Sequence, residues 1–443
     1  MNASVVQLRE VNDLLAQRPL SHFQVVAISL CGLVNFLDGF DTHVMALTAP
    51  AIAAEWGLPH KGMTLVLAAS LVGLAVGAGL FAPLGDRFGR RPALVWSMAL
   101  IGVTTLAGAM ATSIPQLILL RFLTGVGLGV SIANSAALIS DYTPPAKRGA
   151  FVTLAYTVSA LGSVLAGLSA PYLIEAFSWQ GVFMAGGVLS LILAVGLWVW
   201  LPESLQFLIA RKPGARVTAR TLQKVWPDLT PAHLTVPSDA ISRPSFWRLL
   251  DAAMLPRTLT LWVMLAFNLF VLYLIVSWLP ILLIRTGWSQ QQALYGTAAI
   301  PLGGIVGGLV IAFASARGWL LSAALAATWV LGGVALALPL ALPSFTPDVG
   351  LAWGLLAVIG FSIAGGTFGL TALAACAYPV EVRATGVGWA LVIGRIGAVA
   401  GPVAGGWVIG MEVSSVHLLG FLAVPLLFCA LMSVFMRREW QTN

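Results

Sequence analysis

Charge is what this sequence has least of. Only 9% of its 443 residues are Asp, Glu, Lys or Arg, and 59% are hydrophobic, whereas an ordinary soluble domain carries roughly 25% charged residues. Together with a mean hydropathy of +0.94, this excludes a soluble globular protein and indicates a chain that crosses a bilayer many times. Cysteine is scarce as well. Cys31, Cys376 and Cys429 all fall in apolar runs, with neither metal-ligand spacing nor a disulfide pattern, and read as small packing residues. No nucleophile–base pair and no metal-ligand cluster is evident, so neither an enzyme nor a bound cofactor is expected. The net charge of +7 gathers in loops, and no nucleic-acid partner is implied.

What the chain has instead is apolar runs of the length that spans a bilayer, about 20 residues each. They lie near 23–51, 62–84, 93–111, 115–140, 148–172, 180–201, 257–284, 293–315, 317–340, 350–376, 384–409 and 415–436. The expectation is an all-α membrane protein of twelve transmembrane helices, with "SARG" almost the whole loop between the eighth and ninth. The first 20 residues are polar. No small-residue cleavage site follows the first run, which therefore reads as a retained anchor. With the N-terminus inside, only Lys61 and Arg285 of the 23 Lys and Arg face outward, Arg121 and Arg395 fall within spans, and the other 19 (23 − 2 − 2) are cytoplasmic. That asymmetry places both termini in the cytoplasm.

The longest polar interruption, 202–256, separates a six-helix bundle at 1–201 from another at 257–443 and reads as a cytoplasmic linker. The halves echo each other. Gly79-Leu80 and Gly89 match Gly308-Leu309 and Gly318 at an offset of 229 (308 − 79 and 318 − 89), and Arg148 and Gly162 match Arg383 and Gly397 at 235 (383 − 148 and 397 − 162). A parallel six-helix repeat is the plan of a two-bundle transporter, with its site near mid-membrane between the bundles. "GLAVGAGL", "GVGLGV", "GGIVGGLV" and "IAGGTFGL" supply glycines for close helix packing or rocking interfaces.

The few charges inside the spans carry the functional signal. "NFLDGFDTHVMALTAP" puts Asp38 and Asp41 three residues apart within the first run, where a charge costs about 3 kcal/mol on insertion scales. The two share one helix face. Both cannot ionise cheaply in low dielectric, so a carboxyl with two accessible protonation states is expected, which suits a proton carrier. Arg121 lies about 9 Å below the outer end of the fourth span and Asp41 about 13 Å below that of the first, depths that suggest an ion pair. Arg395 falls about 18 Å into the eleventh span, with no acid in the second-half spans to meet it, and so asks for an anionic ligand such as a carboxylate. Candidate walls for a substrate cavity are His43, Asn134, Tyr273, Trp278, Phe361, Phe368 and Trp389. In "APLGDRFGRRPAL", Gly85 and Gly89 permit a tight turn, Pro92 suits the first turn of the third span, and Asp86 can pair with a neighbouring cation.

The run G-D-R-F-G-R-R matches the signature loop of the major facilitator superfamily. "FLDGFDTHVMALTAPAI", "RFLTGVGLG…SDYTP", "WLPESLQFL", "YLIVSWLP" and "YPVEVRATGVGWALVIGRIG" together resemble that superfamily's aromatic acid:proton symporters, over nearly the whole chain. The resemblance implies import of benzoate- or hydroxybenzoate-type carboxylates into bacteria by alternating access, coupled to protons, in the inner membrane. It implies that Asp38 and Asp41 serve transport and that Arg121 and Arg395 belong to the central pathway. It assigns Asp86 and Arg90 to a cytoplasmic gate; Gly85, Arg87, Gly89, Arg91, Arg148 and Arg383 are grouped with them. The expected partners are a small aromatic carboxylate, protons and lipid, and the expected unit is a monomer. Two features depart from the pattern: "FASARGWL" lacks the Asp-Arg pair in the second half, and Ala133 replaces the usual Pro before Asn134. A proton-driven exporter of drugs or other organic compounds is the alternative on the same fold, and a receptor that senses the acid without moving it is a further rival.

Overall fold

The computed structural model describes residues 9–58, 60–144, 148–211, 216–226, 234–235, 246–316, 320–341, 349–378, 383–411 and 413–436. Among these, eleven helices are long and apolar enough to cross a membrane. One of them, Arg148–Trp200, is two spans in succession: Phe177 and Ser178 leave helical geometry, Ser178 at φ +58°, and each part exceeds the ~20 residues that a span needs. Twelve spanning helices result, as the apolar runs predicted.

They are α1 (His22–Glu55), α2 (Thr64–Val76, continued by a π-helical turn Gly77–Phe81), α3 (Arg90–Ala109), α4 (Ile114–Tyr142), α5 and α6 (the parts of Arg148–Trp200 before and after 177–178), α7 (Leu255–Arg285), α8 (Gln290–Thr297 and Ala299–Ala316), α9 (Leu321–Ala341), α10 (Val349–Ala377), α11 (Arg383–Gly410) and α12 (Ser415–Phe421 and Ala423–Phe435). Ser21 starts α1 with a capping box, its backbone N–H donating to Gln24 Oε1 at 2.9 Å while its hydroxyl accepts from Gln24 N. Between α6 and α7 run two short helices, Leu205–Arg211 and Arg216–Val225, and a two-residue strand at Leu234–Thr235 that pairs in parallel with Arg9–Glu10.

The repeat is visible in packing. In the first half α1 packs on α5 and α2 on α4; in the second, α7 packs on α11 and α8 on α10. A Cβ on Gly162 would come 1.8 Å from the Phe36 carbonyl oxygen, and one on Gly397 would come 1.9 Å from that of Ala266. Helices this close need a residue without a side chain at the crossing. Gly73 and Gly77 press on Phe122 and Val126 of α4 as Gly303 and Gly307 press on Ala357 and Phe361 of α10. The packing offset is thus 230 for α1 and α2 (303 − 73, 307 − 77 and 266 − 36) and 235 for α4 and α5 (357 − 122, 361 − 126 and 397 − 162). The 229 register expected from Gly79 and Gly308 is one residue off: Gly79 faces open space, whereas Gly308 meets the Phe368 ring. Prolines Pro50 in α1 and Pro280 in α7 fall at 230 as well.

The halves meet through α1 on α7, α2 on α11 and α5 on α8. Their tight contacts lie at the end where α1 finishes: Gly406 against Thr64, Gly167 against Thr297 and Ala298, and the rings of Tyr172 and Tyr295 edge to face at 6.1 Å.

Candidate functional site

Between the halves lies a cavity of about 190 Å³. From the first half it is lined by Asp38, Gly39, Thr42 and His43 of α1 and Ser159, Ala160 and Ser163 of α5; from the second by Tyr273 and Val276 of α7, Phe368 of α10 and Arg395 of α11, among others. The two sides are chemically unlike. The first carries a carboxyl and an imidazole, the second a guanidinium and a phenol.

Gly39 explains how α1 delivers its polar residues. A Cβ there would come 1.9 Å from the Ser159 carbonyl oxygen, so only glycine lets α1 lie against α5 with the carboxyl of Asp38 turned toward the interface between bundles. Asp38 is 2% exposed. Its Oδ2 accepts from the Ser131 hydroxyl at 2.8 Å, while Oδ1 has no hydrogen-bond partner among the described residues. A buried carboxyl oxygen left bare beside a cavity is an expensive arrangement unless a proton or a ligand satisfies it.

Asp41, one turn on, is held differently. Its Oδ1 accepts from the Thr105 hydroxyl at 2.9 Å, and Arg121 Nη2 donates to the same hydroxyl at 3.0 Å. Arg121 Nη1 stands 3.5 Å from Asp41 Oδ2, both side chains 1% exposed. The Phe183 ring closes the far side, its centroid 4.7 Å from the guanidinium, a cation–π contact worth more when desolvated. This is a neutralised cluster inside the first half, and Asp41 is not part of the cavity wall. The two aspartates are therefore in separate environments despite sharing one helix face.

On the opposite wall, Arg395 Nη1 donates to the Tyr273 hydroxyl oxygen at 3.2 Å. No acidic partner to Arg395 occurs among the described residues. Because Tyr273 accepts from the arginine, its own O–H remains available to donate. Arginine fork and phenol together form a donor pair suited to a carboxylate.

Several residues expected at the ligand lie elsewhere. Asn134 donates from Nδ2 to the carbonyls of Ala82, at 3.2 Å, and Val130, at 2.9 Å, and its Oδ1 is packed against Gly85, where a Cβ would come within 1.8 Å. It braces the end of α2 and stands outside the cavity. Trp278 is fully buried between α7 and α11, its indole N–H donating to the Pro402 carbonyl at 2.9 Å over Gly405; a buried indole takes a backbone acceptor when one is at hand. Trp389 is 38% exposed on α11 and does not border the cavity. Phe361 gives its backbone to the α8 contact and is absent from the wall.

At the opposite end from the tight inter-half contacts, the 85–91 loop assembles a second polar cluster. Gly89 turns the chain at φ +114°, a region that favours glycine. Glu203 Oε1 accepts from the backbone N–H groups of Arg90, at 2.8 Å, Arg91, at 3.2 Å, and Ser204, at 2.9 Å, capping the N-terminus of α3, where a negative charge is favoured. Burial nonetheless pushes the Glu203 carboxyl above its ordinary range, outweighing those three donors and the Arg90 charge. Arg90 bridges to Asp141, which also accepts from the Ser204 hydroxyl. Arg91 donates to the Trp198 carbonyl, and the Tyr142 hydroxyl donates to the Glu203 carbonyl at 2.6 Å. Arg87 is exposed and lies over the Phe88 ring. The side chains of Asp86, Arg148 and Arg383, and residues 317–319 of the second-half loop, lie outside the described residues. The acids of "SDYTP" and "WLPESLQFL", Asp141 and Glu203, which the resemblance gives no role, are the partners of the arginine loop. The signal that could have found them is position: Asp141 ends α4 and Glu203 follows α6, the same end of the bundle as the arginine loop.

Known proteins fit this architecture. The model of the Major Facilitator Superfamily matches residues 31–402. The chain is 35% identical over 433 residues to the 4-hydroxybenzoate transporter PcaK of Pseudomonas putida, covering 95% of this chain and 94% of that protein. It is 34% identical over 435 residues to the gallate transporter of Pseudomonas putida, with coverage of 95% and 94%. Among solved structures it resembles the D-xylose-proton symporter at a TM-score of 0.72 and 17% identity, over 95% of this chain and 99% of that one.

Proposed function

This chain belongs to the major facilitator superfamily, and from that premise we propose that it carries small aromatic carboxylates into the bacterial cell together with protons. The observation that carries the reading is the cavity's polarity. An unpartnered carboxyl oxygen of Asp38 stands on one bundle and the Arg395–Tyr273 donor pair on the other. The names of the relatives, transporters of 4-hydroxybenzoate and gallate, supply the aromatic acid; the cavity supplies the anion pole and the apolar wall of Phe368, Val276 and Leu272.

In this account the substrate carboxylate docks on Arg395 and Tyr273, and a proton occupies Asp38. Each neutralises a group that is costly to bury. With both loaded, the bundles rock about the cavity, because the loaded and empty protein differ in which conformation leaves fewer uncompensated charges. Asp41, Arg121 and Thr105 hold α1, α3 and α4 in register behind the carrier carboxyl, their own charges already balanced. The arginine loop, with Asp141 and Glu203, latches the cytoplasmic ends of the first bundle and opens and closes with that motion. The protein works as a monomer in the inner membrane with both termini cytoplasmic, an orientation supported by the gathering of basic residues in loops on one side.

The test is uptake into proteoliposomes of known orientation, with a panel of benzoates, hydroxybenzoates and phenylpropionates, under an inward proton gradient and with an uncoupler. Accumulation that the uncoupler abolishes is the expected result. Net expulsion under the same gradient would make the protein an exporter, and binding without translocation would make it a receptor.

A further inference from the structure

His43 has no part in the proton and carboxylate chemistry above, yet it lines the same cavity. Its Nδ1 lies 3.1 Å from the Gly39 carbonyl oxygen, which also accepts from the Ser163 hydroxyl at 3.0 Å. A carbonyl can only accept, so Nδ1 carries a proton. In the neutral ring the other nitrogen, Nε2, is then a bare acceptor, and it has no hydrogen-bond partner among the described residues. The Nδ1 bond to this carbonyl sets which way the ring turns.

The repeat locates this acceptor. At the offset of 230, His43 of α1 corresponds to Tyr273 of α7 (273 − 43). At 235, Ala160 of α5 corresponds to Arg395 of α11 (395 − 160). All four line the cavity. Both α1 and α7 run 12 residues past these positions, to Glu55 and Arg285 (55 − 43 and 285 − 273), about 18 Å at helical rise. His43 and Tyr273 are thus at matching depth on opposing bundles. The second bundle's pair is a phenol and an arginine; the first bundle's is an imidazole and an alanine. One pole is cationic and donates, and the other is neutral and accepts.

We propose that His43 selects the substrate: its Nε2 accepts a hydrogen bond from a ring hydroxyl that points away from the carboxylate held by Arg395 and Tyr273. The ligand class is a single-ring hydroxy-substituted aromatic acid. A cavity of about 190 Å³ lies below the 300–1,000 Å³ range of pockets for drug-sized ligands, which fits one ring with short substituents. An acceptor without a proton distinguishes a hydroxyl from its methyl ether, because the ether has no hydrogen to give and adds bulk at the same place. This rests on the carboxylate transport reading above.

Competition binding to the purified full-length protein in nanodiscs tests it, with benzoate, 4-hydroxybenzoate and 4-methoxybenzoate as probes. In the wild type the hydroxy acid is expected to bind about tenfold or more tighter than its methyl ether, the order of one buried hydrogen bond. In His43→Phe that ratio is expected to fall to about twofold or less, and His43→Gln, which restores an acceptor, should recover part of it. Ratios are taken within each protein, so a general weakening cancels. Should the phenylalanine variant fail to fold, the wild-type ratio and the glutamine variant still decide. A wild type that binds the ether as tightly as the hydroxy acid overturns the proposal, as does a ratio that survives in His43→Phe, which would move the hydroxyl to the bare oxygen of Asp38. If the wild type binds none of the three acids, the carboxylate reading itself fails.

Discussion

The guanidinium of Arg121 lies 3.5 Å from the carboxylate of Asp41, with neither side chain more than 1% exposed. Asp38, three residues earlier on the same helix, has no ion-pair partner among the described residues, and one of its oxygens at the cavity is bonded by none of them. One helix thus carries an aspartate whose charge is already balanced and another whose charge is not. The proposed proton carrier is the one in the second environment, where two protonation states are accessible.

Removing one member of the Asp41–Arg121 pair leaves a buried charge alone, a loss of about 3–5 kcal/mol, whereas removing both is far milder. Asp41→Asn and Arg121→Gln singly are therefore expected to lower the thermal midpoint in detergent by more than the double variant does. A double variant less stable than either single would show that the pair is not acting as a unit.

Arg395→Ala should weaken binding of a benzoate-type anion by about 10- to 100-fold, the range for a charge-assisted hydrogen bond. Arg395→Lys should recover only part of this, because an ammonium lacks the planar fork. The check is equilibrium binding of a labelled acid. Unchanged affinity in Arg395→Ala would remove the arginine from the site.

Glu203 gives a pH signature at the far end of the molecule. Its carboxyl is raised in the folded state, chiefly by burial. The folded protein therefore holds that proton more tightly than the unfolded chain does. The associated stability is present below the ordinary glutamate range and lost as pH rises through the higher folded value. Thermal midpoints should fall across that window in the wild type and fall less in Glu203→Gln. An equal slope in the two proteins would exclude Glu203 as its source.

The apolar runs alone made the helices legible, because a bilayer demands about 20 apolar residues per crossing and little else has that length. The lone ionisable residues were legible for the complementary reason: nothing but a partner or a ligand tolerates them there. Depth counting along α1 and α4 brought Asp41 near Arg121. It could not separate Asp41 from Asp38, since i and i+3 share a face and the difference lies in what α3 and α4 present: Thr105 to one and Ser131 to the other. Polar and aromatic residues such as Asn134 and Trp278 were misplaced because their type is compatible with a ligand, a lipid face or a backbone acceptor on a neighbouring helix. Only the rotation of each helix decides, and a span apolar on every side carries no amphipathic signal to set it. The one-residue error in the first repeat offset has a similar origin. In spans dense with glycine many registers match by letter, and only the packing shows which glycines meet a backbone.

The most direct test of the account is proton movement in Asp38→Asn. In lightly buffered proteoliposomes, wild-type protein given a benzoate-type acid should draw protons in with it, and accumulation should follow the gradient. The asparagine variant keeps the shape of the site but has no carboxyl to load, so it should exchange labelled for unlabelled acid while neither accumulating it nor moving protons. Gradient-driven accumulation in Asp38→Asn at the wild-type level would contradict the assignment of the proton to this residue.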